Sequence, residues 1–126
     1  MAQTNFVESP WCAGFADRYQ LVSLSGVRGG ADAGPVSLGV VHEPSSPLLV
    51  GVAQLTEGHG GRNTGPLLHD AISVVDWATG EPLVVRGSFG SRRRCDLNMV
   101  VYSNDAVPGF WIGDGANLIR NALVYR

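Results

Sequence analysis

The chain has 126 residues, 44% of them hydrophobic, which suits one domain with a packed core and excludes a disordered chain. Its formal net charge is −2, so no bulk attraction to nucleic acid or to an anionic membrane is expected. Its 17 glycines lie scattered without a period between β-branched runs, a pattern of turns and bulges rather than of collagen or a simple linker.

Residues 1–17 mix polarity, and Phe6, Val7, Trp11 and Phe15 are spaced too irregularly for a helix stripe. Pro10 and Gly14 break the segment further. It reads as an extended arm, with those four side chains as candidates for contact with a partner. MAQTNFVESP carries neither the basic nor the apolar region of a secretory leader, and no apolar run is long enough to cross a bilayer. Synthesis in the cytosol as a soluble protein is expected. Residues 18–126 read as a single β domain.

Arg18 to Ser25 alternates as a strand, followed by a glycine-rich loop from Gly26 to Pro35. Val36 to His42 is a second strand, and the two prolines of Glu43 to Pro47 end it in a turn. Leu48 to Leu55 is apolar on both faces and reads as a central strand covered on both sides. Thr56 to Pro66, with four glycines, reads as a mobile surface loop.

Ala71 to Phe89 is the clearest element. Ile72 to Trp77 and Leu83 to Phe89 flank Ala78-Thr79-Gly80-Glu81-Pro82, the pattern of a β-hairpin with Gly80 supplying positive φ. In the second strand Leu83, Val85, Gly87 and Phe89 form the expected core face, and Val84, Arg86 and Ser88 a mixed outer face. Gly90 to Arg94 reads as a turn carrying Arg92, Arg93 and Arg94. Leu97 to Tyr102 and Phe110 to Ile112 read as further strands. In the tail, Leu118, Ile119, Ala122 and Leu123 fit a helix face while Leu123 to Tyr125 fits a strand end; because so short a helix is marginal alone, a strand is favoured at the end, and Asn117 to Asn121 stay open between helix and strand. The sum is an all-β fold, a small barrel or sandwich of seven or eight short strands with an extended N-terminal arm.

Motifs for chemistry are sparse. His42, His59 and His69 lack metal-ligand spacing. No G-x-S-x-G occurs, and neither glycine-rich loop has the Lys-Ser/Thr and helix of a phosphate cradle. Cys95 follows three arginines that could stabilise a thiolate, yet no base is placed beside it. Cys12 and Cys95 read as free buried thiols rather than a disulfide. No cofactor or metal is expected. Arg92, Arg93 and Arg94 are the only charge run, suited to ion pairs with carboxylates of an adjacent subunit. Trp11, Trp77 and Trp111 fit a sugar platform, a core or an interface equally.

The order of the arm, the Val50-Gly51-Val52-Ala53 segment and the strand from Thr79-Gly80-Glu81 through Gly87 and Phe89 resembles small capsid decoration, or cement, proteins of tailed bacteriophages and related head-fibre proteins. The resemblance implies a non-enzymatic virion protein on the capsid exterior, made in the host cytoplasm. It would self-associate as a homotrimer and bridge major capsid protein subunits, with no nucleic acid or membrane as partner. The alternatives are a carbohydrate- or ligand-binding β module, or another virion β protein such as a tail tube or connector component.

Overall fold

The computed structural model describes residues 20–23, 26–28, 34–58, 61–99 and 108–126. The expected arm, with Phe6, Val7, Trp11 and Phe15, lies outside them. Among the described residues the strands are β1 (Val27–Arg28), β2 (Val36–Val41), β3 (Leu55–Glu57), β4 (Arg62–Asn63), β5 (Ile72–Trp77), β6 (Pro82–Phe89), β7 (Arg92–Leu97) and β8 (Trp111–Gly113). One helix, α1 (Gly115–Val124), follows. The fold is mostly β, as the sequence indicates. Six strands form one curled antiparallel sheet in the order β7-β6-β5-β2-β3-β8, half of a barrel, and β1 pairs with β4 beside it.

The hairpin read from Ala71 to Phe89 is the centre of the sheet. Gly80 takes φ 93, and Trp77 N–H donates to the Glu81 carbonyl at 2.8 Å to close the turn. Curvature comes from bulges, which add local twist. Pairing shifts register between Leu38 and Val41 on β2, and twice along β5, around Val75. At the β2 irregularity a Cβ on Gly39 would stand 2.4 Å from the Trp77 carbonyl oxygen, so only glycine fits.

The core fills the inside of this curl. Leu48, Leu55, Val74, Val75, Trp77, Leu83, Val84, Leu97 and Met99 are all buried, together with Leu118 and Ala122 of the helix. Each such side chain contributes about 1.5–3 kcal/mol by leaving water. The helix follows β8 at one sheet edge and packs against β7 at the other, so it spans the open side of the half-barrel.

Several expectations are corrected. Leu48 to Leu55 is not a central strand. Ser46 accepts from Leu48 N–H, Pro47 opens a 3-10 turn over Pro47–Leu49, and Gly51 adopts φ 69; the strand begins only at Leu55. Leu48 is buried because the turn lies beneath α1, whose buried Asn121 donates to the carbonyls of Leu48 and Val50, while the Val50 side chain stays exposed. The tail is helix rather than terminal strand. Its propensity is marginal, but Leu118 and Ala122 join the core, and tertiary packing holds the helix.

The loop expected from Thr56 to Pro66 contains β4, where Arg62 is fully buried. Residues 20–23 form an isolated bridge, Val22 to Leu67, rather than a strand; the rest of Arg18 to Ser25 lies outside the described residues. β7 ends at Leu97, and residues 100–107 lie outside the description. The faces of β6 are also reassigned. Leu83 lies in the main core as expected, but beyond the register irregularity beside it Val85 and Phe89 pack beneath Leu21 and Val22 in a small second cluster, whereas Val84 belongs to the main core. The face carrying Val84, Arg86 and Ser88 is therefore the inner one.

Candidate functional site

Antiparallel register decides what the inner face presents beyond the core. Directly paired residues share a face. Val84 pairs with Leu97 and Arg86 with Cys95, while on the other side of β6 Arg86 pairs with Ile72. One step further, Ser88 pairs with Arg93. The inner face thus passes from aliphatic to charged along β6. At that end, past the helix, Asp70, Ile72, Arg86, Ser88, Arg93 and Tyr125 line a cleft of about 540 Å³. Open ends of curled sheets are common positions for small-molecule sites.

The groups in the cleft divide by pairing. Arg86 holds Glu43 in a fork, with Nε and Nη2 donating at 2.7 and 2.5 Å. That hydrogen bond keeps the Glu43 carboxyl below its ordinary range and raises the Arg86 guanidinium above its own. Asp70 accepts from the Ser88 hydroxyl at 2.9 Å, which lowers its pKa as well. Arg93 donates through Nη1 to the backbone oxygen of Arg126, the last residue of the sequence, at 3.0 Å. His69, next to Asp70, takes φ 57, an uncommon conformation for a side chain of its size, and meets Phe89 edge to face.

The three consecutive arginines are strand, not turn. Gly90, at φ 59, and Ser91 suffice as a two-residue connection, with Phe89 paired to Arg92. Alternation then separates the run. Arg93 faces the inner cleft. Arg94 lies on the outer face, bonded to Asp96 at 2.7 Å with its guanidinium 5.6 Å from the Phe89 ring centre. Arg92 is exposed at the start of the strand. The structure does not bring the three guanidinium groups to one point.

A second cleft, of about 490 Å³, lies on the outer face between residues 64–67 and the turn of the central hairpin. Asp76 stands in its wall and accepts from Ser73 Oγ at 2.5 Å, with His42 Nε2 at 2.6 Å. The carboxylate is the middle member of this trio, so the serine has no imidazole base and the arrangement is not that of an activated nucleophile. Glu81 accepts from Thr79 and faces the buried Arg62 at 3.6 Å.

Of the remaining sequence candidates, Cys95 is a free, buried thiol donating to the Ala122 carbonyl at 3.6 Å. Burial pushes its pKa up, and this outweighs the lowering by Arg94. Trp77 is a core residue whose Nε1–H donates to the Asn98 carbonyl at 3.0 Å, which removes it from any surface platform; Trp111 remains half-buried. Among the described residues no cluster of His, Cys, Asp and Glu is arranged to hold a metal. No helix among them is long and apolar enough to cross a membrane. Cys12, His59 and Trp11 lie outside the described residues.

Sequence reading missed Asp70, Ile72, Arg86, Ser88 and Tyr125 as a group. Alternation already placed Arg86 and Ser88 together, but assigning that face outward hid the cleft. No protein-family model, curated protein or solved structure matches the chain.

Proposed function

We propose that this chain is a non-enzymatic structural module that acts by docking on protein, and that it decorates a bacteriophage capsid by bridging major capsid protein subunits. The observation that carries this reading is where the apolar and polar groups are spent. Glu43, Asp76, Glu81, Asp96 and Asp114 are all bonded within the fold. Val40, Val50, Ile112, Leu123 and Val124, by contrast, are each at least 60% exposed. Aliphatic surface of this kind is what a protein contact removes from water. The resemblance of Gly51 to Ala53 and Thr79 to Phe89 to capsid decoration proteins supports a capsid as the partner, with the homotrimer as assembled form and the capsid exterior as location.

The test is sedimentation of the purified chain with shells assembled from the major capsid protein encoded in the same genome. Saturable co-sedimentation is expected, and a Leu123→Glu, Val124→Glu double variant of unchanged Tm should lose it. A chain that stays in the supernatant at every concentration overturns the reading.

A further inference from the structure

We propose that a single water molecule is a fixed part of this fold, held where Val22, β4 and the end of β7 meet. Val22, Asn63, Asp96, Leu97 and Asn98 line a small cavity there, of about 10 Å³. One water needs roughly 10–15 Å³ of such space, so the cavity suits one and is too small for an organic ligand. Asn63 is 6% exposed, and its side-chain oxygen Oδ1 has no hydrogen-bond partner among the described residues. A buried polar atom left in that condition costs free energy, and an internal water is a common way to satisfy it.

The same point is where strand pairing stops. β7 is an edge of the six-stranded sheet. Asn98 N–H donates to the Leu83 carbonyl at 2.8 Å, so the alternation of an antiparallel pair turns the N–H and C=O of Leu97 away from β6. Val22 behaves likewise. Its bridge to Leu67 is closed by the flanking bonds, Ser23 N–H to the Pro66 carbonyl and Leu68 N–H to the Leu21 carbonyl, both at 2.9 Å, so its own N–H and C=O turn away from Leu67. The segments that meet this edge are joined to it by side chains rather than by a ladder. Asp96 accepts from Leu21 N–H at 2.7 Å, and Asn98 accepts from Asn63 N–H at 2.7 Å. That wider spacing leaves room for a water.

The donor set selects water over an ion. Asn63 Oδ1 and the Asp96 carboxylate are acceptors, so the occupant must donate to both. The carboxylate accepts from Leu21 N–H and from Arg94 Nε, at 2.7 Å each, and retains acceptor capacity beyond these two bonds. Arg94 also balances its charge, which removes the demand for a cation. A water donates to the two oxygens and accepts from the N–H of Val22 or Leu97, which gives it the roughly three bonds usual for buried water.

A crystal structure of the full chain, with a second crystal soaked in rubidium chloride, tests this directly. Density for a water oxygen is expected within hydrogen-bond reach of Asn63 Oδ1 and the Asp96 carboxylate, with no rubidium anomalous signal at that point. Oxygen-17 relaxation dispersion in solution should count one fewer long-lived water in Asn63→Leu than in the native chain, because leucine removes the acceptor. Should Asn63→Leu fail to fold, the native crystals decide alone. Cavity density that is absent, or that carries rubidium, overturns the proposal. So does a folded Asn63→Leu with an unchanged count of long-lived waters.

Discussion

Replacing Asn98 by Ala should be among the most damaging single changes outside the hydrocarbon core. Asn98 is 3% exposed and sits just after β7. Its side chain accepts from Asn63 N–H at 2.7 Å and donates to the carbonyls of Asn63 at 2.9 Å and Pro82 at 2.7 Å. It thereby ties β4 to the start of β6, two segments the sheet itself does not connect. Alanine leaves three backbone groups without these partners. At about 1 kcal/mol per lost hydrogen bond, with more for any group kept from water, the cost is about 3–5 kcal/mol. Urea unfolding followed by Trp fluorescence measures it, and the slope m should stay constant. Asn98→Asp keeps the acceptor but aims a carboxylate at two carbonyls. Its stability deficit should shrink on acidification, because the protonated acid regains one donor. A loss below about 1 kcal/mol for Asn98→Ala would refute the reasoning, since it would mean that water replaces all three bonds without penalty.

Gly39→Ala should destabilise by about 1–3 kcal/mol in the same assay, because its Cβ would press on the Trp77 carbonyl and only backbone movement relieves the clash. Leu118→Ala should cost about 2–5 kcal/mol and lower helical circular dichroism, because α1 is held by packing. The Glu43–Arg86 pair makes the protein acid-sensitive. Glu43 titrates lower when folded than when unfolded, so its contribution is present above the unfolded value and lost as pH falls through the folded one. Both side chains are about a third exposed, so screening leaves at most about 1 kcal/mol. Glu43→Gln should remove that part of the pH dependence, measured as urea midpoints between about pH 7 and pH 3.

The sequence made the hairpin legible because its two strands alternate, its break contains Gly80, and both signals agree. It misled where local pattern and tertiary context differ. Leu48 to Leu55 has the apolar run of a buried strand, yet Ser46 and Pro47 start a turn that is buried by a helix from the far end of the chain. The tail has too little intrinsic propensity to decide between helix and strand, and only Leu118 and Ala122 in the core settle it as helix. The three arginines looked like a turn because polar residues after Gly90 usually continue one; a two-residue connection put them in the sheet instead. The candidate cleft was half visible. Arg86 and Ser88 follow from alternation, but Arg93, Asp70 and Tyr125 come from three other segments, and only register and the path of α1 bring them together.

Docking on a capsid is tested most directly by electron cryomicroscopy of capsid shells with and without the purified chain. The reading predicts added density on the outer surface, at fixed positions between capsid protein subunits and of a size that accommodates the curled sheet and its helix. Shells that remain indistinguishable from the bare lattice at saturating concentration would contradict it.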